Sequence, residues 1–409
     1  MMTRPLEGLK VLDLSRVVAA PLATMLLGDL GAEVIKVERP GAGDETRSWG
    51  PPFAAGESAY YLALNRHKAS VAVDLGRAEG RALVERLIAD WADVVVENFR
   101  DGSLERLGLD AHALRVAHPH LIWAELRGYP PGDPRPGYDF IIQGLSGFMA
   151  LNGDPDGPPT RAPVAVSDIV TGLYLANGIL AALVRRRTSG QGGTVTVSLY
   201  EAQLASLPNV TESYLVTGEE PRRHGNAHPQ LAPYEVVEAA DGPFALGVGN
   251  DRQFHAALKV LDLPALAADP RFRDNQSRVR HRTVLLAELA PRLRQRTRGE
   301  WIERLTLVGV PAGPIRTVGE ALSAQETVAA GLVASVEHPR IGTLRMVANP
   351  LWIDGERLPV RTPPPLLGEH TAVVLERLGY GPDAIRTLVE TGVVALSDSR
   401  ETSWQRPKG

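Results

Sequence analysis

The chain has 409 residues, a net charge of −4 at pH 7 and the hydrophobic content of a globular protein. This length allows two or three domains with buried cores, and the charge provides no basic field for nucleic acid or an anionic membrane. The absence of cysteine excludes disulfides, thiolate metal sites and cysteine nucleophiles. The first residues lack an apolar signal-peptide core, and the most apolar stretch, 169–184, is short for a membrane span. We therefore expect a cytoplasmic protein that binds neither nucleic acid nor membrane.

The first 200 residues alternate strand-like and helix-like segments. Strands are predicted at 9–14, 32–38, 70–75, 93–97, 121–126, 164–166 and 194–199, and helices at 19–30, 78–89, 140–151 and 169–187. Such alternation is typical of a mostly parallel sheet with helices on both faces. The sequence therefore predicts an α/β fold.

The character of the sequence changes near residue 205. A loop-like segment rich in Pro, Gly and Glu is followed by short strands at 234–248 and by a mainly helical, Arg-rich region at 250–325. Short β-like pieces and a last helix, at 367–380, complete the chain. We divide it into a large domain (1–204), a linker (205–232), a smaller α+β domain (233–330) and a C-terminal segment (331–409).

Asp168 is the first candidate functional residue, because it lies between the predicted strand 164–166 and a long apolar helix. A carboxylate at a helix start is held by first-turn N–H groups, stays ionised and can be presented to a cleft. An ionised Asp is a competent nucleophile towards an activated acyl group. Ser and Asp are also ordinary helix N-caps, so the local pattern leaves both interpretations open.

Standard catalytic and cofactor motifs are missing from the sequence. It contains no Walker A sequence, no Gly-x-Gly-x-x-Gly at the first helix and no Gly-x-Ser-x-Gly elbow. The ten His residues show no zinc-binding spacing. We therefore predict no metal site and no tightly bound cofactor.

A series of short motifs follows in a fixed order along nearly the whole chain. They are Val11-Leu-Asp-Leu-Ser-Arg16, residues 20–38, 64–70, 96–100, 106–108, 135–139, the Asp168 segment, 249–251, 269–272, 309–315 and 367–371. Each motif alone has low specificity, but the complete set, in this order, resembles the family III CoA-transferases, which include formyl-CoA transferase and carnitine CoA-transferase. The resemblance implies a Rossmann-like large domain, built from the N-terminal half and the C-terminal segment, with a small domain between them. It also implies an interlinked homodimer.

The resemblance further implies a mechanism in which one Asp carries the transferred groups. This Asp attacks an acyl-CoA thioester, giving a mixed anhydride and CoA thiolate, and the thiolate then forms an aspartyl-CoA thioester from which the acceptor acid collects CoA. Asp168 matches that nucleophile by position, with Ser167 before it. CoA and acyl-CoA are then substrates. The donor and acceptor acids stay open, with a preference for succinyl-CoA and a small dicarboxylate.

Positions that match the family's CoA contacts are distributed over the first 140 residues. They are Arg16, Val17, Arg39, Leu75, Asn98, Arg106, Arg127, Tyr129, Tyr138 and Asp139. Arg39 matches an adenosine-side Arg, and Arg16 and Val17 lie in the first loop, near the thioester in the family. Without the resemblance, the simplest interpretation of each Arg is an exposed residue that forms an ion pair, and the simplest interpretation of Leu75 is a residue of the hydrophobic core.

Two further points stay open at this stage. Gly247 and Gly249 match a glycine loop that covers the intermediate in the family, but this sequence has fewer glycines there, and a simple turn fits equally well. The same fold also includes α-methylacyl-CoA racemases, whose catalytic His corresponds to Tyr138 here, a residue with too high a pKa to act as that base. A non-catalytic CoA-binding protein is the third alternative.

Overall fold

The structure is a computed structural model that describes residues 4–397. Its strands are β1 Lys10–Asp13, β2 Glu33–Glu38, β3 Phe53–Ala54, β4 Glu57–Ser58, β5 Lys68–Val73, β6 Val94–Glu97, β7 Ile122–Arg127, β8 Gly193–Ser198, β9 Tyr234–Ala239, β10 Gly242–Gly247, β11 Ala312–Pro314, β12 Val333–His338, β13 Gly342–Val347, β14 Trp352–Ile353, β15 Glu356–Arg357 and β16 Val394–Ala395.

The α-helices are α1 Ala19–Asp29, α2 Ala59–Leu62, α3 Ala78–Asp90, α4 Ser103–Arg106, α5 Ala111–Ala117, α6 Asp139–Leu145, α7 Phe148–Leu151, α8 Val166–Ser189, α9 Leu199–Ala205, α10 Pro208–Thr217, α11 Asp251–Val260, α12 Asn275–Arg280, α13 Arg282–Leu293, α14 Arg298–Leu307, α15 Val318–Ser323, α16 Gln325–Ala329, α17 Thr371–Arg377 and α18 Pro382–Glu390. Short 3₁₀ helices cover Glu45–Ser48, Pro264–Ala268 and Pro270–Phe272. The described residues fall into two compact units: residues 4–148, 162–215 and 328–397 form the first, and residues 149–161 and 216–327 form the second.

The first unit is built on a seven-stranded sheet in the order β16-β5-β2-β1-β6-β7-β8. All neighbouring strands are parallel except β16, which pairs antiparallel with β5. Strand β1 is central, since Val11 pairs with Val34 on one side and with Val94 on the other. The predicted α/β class with a mostly parallel sheet is therefore confirmed.

Hydrophobic cores cover both faces of this sheet, which explains why its strands are nearly continuous apolar runs. On one face, Leu12 and Val95 pack with Leu83 and Leu87 of α3. On the other face, Val11 and neighbouring strand residues pack with α1 and α8. Replacing a fully enclosed leucine such as Leu87 with alanine in a core of this kind costs about 2–5 kcal/mol.

Helix α8 has 24 residues and ends at Gly190, which adopts the left-handed conformation of a helix C-cap. By length and composition alone it could cross a membrane. That is weak evidence, because core helices pass the same test, and Leu175 and Ile179 of α8 are fully buried in the sheet-packed core. Leu173 and Val184 lie on its exposed side.

The predicted elements differ from the structure in several places. The predicted strand 164–166 is wrong, because the helix already begins at Val166 after a short irregular stretch. The single predicted helix 140–151 is two helices, α6 and α7, separated at Gly147, whose φ of 84° ends the first. The loop-like segment 205–232 contains helix α10, and α17 is followed by another helix, α18, that the sequence analysis missed.

The second unit contains the antiparallel sheet β11-β10-β9 and helices packed around Phe244, Phe254 and Trp301. Arg278 is fully buried there. Its guanidinium binds the carboxylate of Asp251 at 2.7 Å and lies 4.3 Å from the centre of the Phe254 ring. A buried cation is retained because both its charge and its N–H groups are satisfied.

Candidate active site

The loops that leave β1 and β6 meet at the carboxyl end of the sheet. Strand β2 lies on one side of β1 and strand β6 on the other, so the chain connections after the neighbouring strands β1 and β6 run in opposite directions along the sheet. Ligands of open α/β sheets bind where the connections diverge in this way. The Arg16 backbone N–H donates to Oδ1 of Asn98 at 2.9 Å, and Nδ2 of Asn98 donates to the Arg16 carbonyl at 2.7 Å. Two predicted site residues, 82 positions apart, are thus brought into contact.

A cavity of about 200 Å³ lies beside this contact. The predicted site residues among its lining are Arg16, Val17, Asn98, Arg127, Tyr138, Asp139 and Asp168. Residues from five separate stretches of sequence therefore converge on one place, which is the arrangement expected when catalytic side chains follow the ends of parallel strands. We call this the Asp168 cavity.

A second, larger cavity of about 730 Å³ adjoins the first, since Arg16, Glu45 and Phe99 line both. Arg39 and Leu75, which follow β2 and β5, line this second cavity. Leu75 also packs against the core, so it is both a core residue and a cavity residue. We call this the Arg39 cavity.

The loop after β1 is held in an unusual conformation by a buried ion pair. Val17 has a φ of 74°, which costs a β-branched residue of order 1–3 kcal/mol. Its backbone N–H donates to the Asp44 carboxylate at 3.2 Å, and Nζ of Lys36 binds the same carboxylate at 2.9 Å and the Ser15 carbonyl at 2.7 Å. Burial opposes ionisation of Asp44, but Lys36 and the Thr46 N–H hold its pKa below the usual value. The sequence analysis missed Lys36 and Asp44.

Asp168 lies in the first turn of α8 and is only partly exposed. It is not the N-cap, which is Ala165, and its carboxylate makes no hydrogen bond or ion pair within residues 4–397. Burial, and then the nearby negative charge of Asp139, raise the pKa of Asp168 from 3.8 to about 7. The expectation that this carboxylate stays ionised is therefore wrong: it is about half protonated near neutral pH, because no cation offsets its burial.

Asp139 begins α6 and turns both carboxylate oxygens towards the protein. Oδ1 accepts a hydrogen bond from the Ser167 backbone N–H at 2.9 Å, and Oδ2 accepts one from Nε2 of Gln143 at 2.7 Å. Gln143 is fully buried, and its Oε1 accepts from the Ala162 N–H at 2.8 Å. Asp139, predicted to contact CoA, therefore lines the Asp168 cavity while holding the start of α8.

Arg127 lines the Asp168 cavity, but its guanidinium is already engaged by three carboxylates. These belong to Glu97 at 2.7 Å, Asp101 at 2.9 Å and Glu125 at 3.2 Å. Burial raises the pKa of Glu97 to about 7, although the adjacent Arg127 opposes that shift. Arg127 can contact a ligand phosphate only by opening one of these pairs, and in this structure it organises the loop after β6.

Tyr138 lines the Asp168 cavity and is 59% exposed. Its position depends on two glycines, because a Cβ on Gly137 would lie only 2.4 Å from the Cα of Gly128. Tyr129, in contrast, is buried and stacks with Tyr200. It supports the cavity wall without appearing on its surface.

The remaining predicted residues lie elsewhere. Arg106 is not part of the described lining of either cavity, although its neighbour Leu107 lines the Arg39 cavity, and Nη2 of Arg106 donates to Ser103 Oγ at 2.8 Å. Gly247 and Gly249 lie in the second unit, where they connect β10 to α11, and the Gly249 N–H donates to Oε1 of Gln253. Within residues 4–397, no cluster of three or more His, Asp or Glu side chains is arranged to hold a metal ion.

Together, these features define a class of protein: an open α/β protein whose ligand cavities lie at the carboxyl ends of the strands, with an uncompensated carboxylate in one of them. Strained backbone and a perturbed pKa in one cavity make it the candidate functional site.

Comparison with known proteins places this chain within a family. The sequence profile described as "CoA-transferase family III" matches residues 6–371. The chain is 40% identical over 403 residues to the succinyl-CoA:glutarate CoA-transferase of Homo sapiens, covering 98% of this chain and 91% of the human protein. It is 42% identical over 383 residues to the succinate–glutarate CoA-transferase of Agrobacterium fabrum, covering 91% and 96%.

The fold agrees with this assignment. The crystal structure of a CaiB/BaiF family protein from Brucella suis is 40% identical and superposes with a TM-score of 0.79, covering 92% of this chain and all of that one. The chain belongs to CoA-transferase family III. The predicted family and the predicted activity, CoA transfer between an acyl-CoA and a carboxylic acid, are confirmed.

Proposed function

We propose that this enzyme transfers CoA from succinyl-CoA to a C5 dicarboxylate of the glutarate type, with Asp168 as the nucleophile. The choice of acids follows the activities for which the human and Agrobacterium fabrum relatives are named, and these relatives are similar to this chain over nearly their full lengths. The choice of nucleophile rests on one observation: Asp168 is an unpaired carboxylate that lines a cavity at the carboxyl end of the sheet. A carboxylate held only for structure is normally paired.

The proposed reaction begins with one thioester and ends with one. An oxygen of Asp168 attacks the succinyl carbonyl carbon, the C–S bond breaks, and CoA leaves as a thiolate. The thiolate then attacks the aspartyl carbonyl of the mixed anhydride, which releases succinate and forms an aspartyl-CoA thioester. The acceptor carboxylate attacks this thioester, and the returning thiolate takes the acceptor acyl group and frees Asp168.

The two adjoining cavities suit the two ends of CoA. In this proposal the nucleotide occupies the Arg39 cavity, where Arg39 is exposed and makes no ion pair within the described part of the chain. The pantetheine arm passes Leu75 and Phe99, and the thioester reaches Asp168 beside Arg16 and Val17. A charge-assisted contact to a phosphate is among the stronger hydrogen bonds available to such a site.

A dicarboxylate substrate also requires a positive charge for its second carboxylate. Arg100 lines the Asp168 cavity and, among residues 4–397, makes neither an ion pair nor a side-chain hydrogen bond. Arg16 and Arg135 also line the cavity, each paired with a single exposed or half-exposed carboxylate, from Glu45 and Asp133. Such surface pairs are weak and exchange readily for a substrate carboxylate.

A trapping experiment tests the nucleophile. Succinyl-CoA and hydroxylamine are added without acceptor acid, and peptide mass spectrometry locates any hydroxamate. We expect an aspartyl hydroxamate at Asp168, and we expect Asp168→Ala to bind CoA normally while transfer falls at least about 10³-fold. Asp383→Ala is the control, because Asp383 also lies in the first turn of a helix but is exposed.

The same preparation tests the acids. Succinyl-CoA is offered with glutarate, oxalate, formate and a C5 monocarboxylate, and product CoA thioesters are measured by mass spectrometry. The dicarboxylate proposal predicts glutaryl-CoA as the main product and little turnover of the monocarboxylate. Wild-type turnover in Asp168→Ala would remove the nucleophile assignment, and equal use of the monocarboxylate would remove the dicarboxylate assignment.

We also propose that the enzyme is a homodimer. Helices α6 and α8 pack against each other and still expose large apolar side chains, which include Phe140, Ile141, Leu145, Leu173 and Tyr174. Exposed apolar groups of this number on adjoining elements are typical of an interface.

A further inference from the structure

Two carboxylates face the Asp168 cavity without a cation partner. Asp139 begins α6 and Asp168 lies in the first turn of α8. Both line the cavity, and neither forms an ion pair within residues 4–397. Like charges placed close together in a partly buried site raise each other's energy. Such an arrangement is destabilising for the fold and therefore calls for a functional explanation.

Asp139 is fixed in place by the same segment that carries Asp168. Its Oδ1 accepts from the N–H of Ser167, the residue directly before Asp168, and its Oδ2 accepts from the buried amide of Gln143. Ser167 is also held from α9, because its Oγ donates to Oε1 of the fully buried Gln203 at 2.8 Å. The first turn of α8 is therefore held by hydrogen bonds from both α6 and α9. Asp139 cannot turn away from Asp168 without breaking two hydrogen bonds.

We propose that Asp139 is a positioning residue for the transfer reaction: it holds the first turn of α8 and keeps a second negative charge beside Asp168, so that acylation of Asp168 is favoured. This inference rests on the proposed role of Asp168 as nucleophile. When Asp168 attacks the thioester, its charge passes to the departing CoA thiolate, and the aspartyl anhydride that remains is neutral. The repulsion from Asp139 is present before the attack and absent afterwards. Asp139 therefore raises the energy of the free carboxylate relative to both covalent intermediates.

Except for Arg100, the other charged groups that line the Asp168 cavity or lie on the elements packed against α8 are paired or hydrogen-bonded. The cavity lining contains the ion pairs Arg16–Glu45, Arg127–Asp101 and Arg135–Asp133, together with Arg100 and Tyr138. Four other elements pack against α8. Asp29 of α1 binds Arg66, and Glu201 of α9 accepts a hydrogen bond from Ser198 Oγ. Glu125 and Arg127 of β7 bind each other, and β8 carries no charged residue. Among residues 4–397, Asp139 is therefore the unpaired negative charge beside Asp168, and it adds to the effect of burial in raising the pKa of Asp168.

The test compares a neutral and a charged replacement. Asp139→Asn retains an oxygen that accepts from the Ser167 N–H but removes the charge, and Asp139→Glu retains the charge. In each protein kcat/KM for CoA transfer from succinyl-CoA to glutarate is measured between pH 5.5 and 8.5. The hydroxylamine-trapped fraction of Asp168 is measured in parallel. Asp139→Ser serves as a second neutral variant if the asparagine amide disturbs Gln143 and prevents folding.

With a pKa of about 7 for Asp168, we expect wild-type kcat/KM to fall about tenfold from pH 8 to pH 6, as the reactive carboxylate is lost. We expect Asp139→Glu to follow that profile, and the neutral variants to fall only about twofold over the same range, as for a pKa about one unit lower. The trapped fraction should also decrease in the neutral variants.

The inference is overturned if the pH profiles of kcat/KM have the same shape in the wild type and in both kinds of variant, and only the plateau value of kcat/KM is lower in the variants. Asp139 would then have only a structural role. Equal shifts in the charged and the neutral variants would overturn it too. A failure of the proposed function is distinguishable, because wild-type enzyme itself would then give no hydroxamate at Asp168.

Discussion

Replacing Asp168 with asparagine should stabilise the fold, and the gain should grow as pH rises. In the folded protein burial and Asp139 raise the pKa of Asp168 to about 7, whereas an unperturbed carboxyl ionises at 3.8. The folded state therefore holds this proton more tightly than the unfolded chain does. The stability associated with the raised pKa is fully present below pH 3.8 and is lost as pH rises through about 7. An asparagine of the same shape does not ionise and avoids that loss.

The magnitude follows from the two pKa values. Each pKa unit corresponds to about 1.4 kcal/mol, so a shift of roughly three units amounts to about 4 kcal/mol above pH 7. Because Asp168 keeps some contact with solvent, we halve this figure to about 2 kcal/mol. Roughly 60% of the effect accumulates between pH 5 and pH 8, so Asp168→Asn should gain about 1 kcal/mol over wild type across this interval.

The assay is urea unfolding of both proteins at pH 5 and pH 8, followed by tryptophan fluorescence, with the difference in free energy of unfolding taken at each pH. Trp123, fully buried in the large sheet, reports on the unit that carries Asp168. Asp383→Asn is the matched control: it changes an exposed first-turn carboxyl and should alter stability by less than about 0.5 kcal/mol at either pH. An advantage for Asp168→Asn that is the same at both pH values, or larger at pH 5, would refute the reasoning.

Two further predictions concern the ligand and the assembly. Arg39→Ala should weaken CoA binding about tenfold, the loss of one charge-assisted contact, and leave the binding of pantetheine unchanged in calorimetric titrations; unchanged CoA affinity would remove Arg39 from the nucleotide site. In sedimentation equilibrium the wild type should have about twice the chain mass of 44.1 kDa, and Leu173→Glu, which places a charge on the exposed side of α8, should lower that mass towards one chain. A wild-type species of one chain mass would contradict the homodimer.

The sequence was sufficient to predict most of the large sheet and the convergence of the site. Strands that are buried on both faces have continuous apolar sequences. For this reason the predicted boundaries of β1, β2 and β6 lie within one or two residues of the observed ones. Arg16 and Asn98 come together for a general reason: the carboxyl ends of parallel strands lie along one edge of a sheet. Asp168 is brought to the same cavity by the start of α8. A resemblance in ordered motifs then assigned chemistry to that edge.

The features that could not be predicted from the sequence depend on contacts between residues that are distant along the chain. Residues 164–166 were predicted as a strand because Val164 and Val166 are β-branched, but Gln143 and Asp139 of another helix hold the chain on either side of them, at Ala162 and Ser167. The ionisation of Asp168 was misjudged for the same reason, since its pKa is raised first by burial in the fold and then by Asp139, which lies 29 positions earlier in the chain. One signal was available for the buried ion pair: Lys36 lies within an otherwise apolar strand, so its charge needed a partner.

Two features of the Asp168 cavity oppose folding. Val17 has a strained backbone, which the buried Lys36–Asp44 pair holds in place, and Asp168 is a carboxylate without a counter-charge. Neither feature improves packing, and both could be removed by single substitutions that the fold would tolerate. In the proposed reaction, the first feature fixes the loop beside which the thioester lies. The second is relieved by protonation or by acylation of Asp168, so in the ionised enzyme the free energy that the fold loses by keeping an uncompensated charge favours the proposed covalent step.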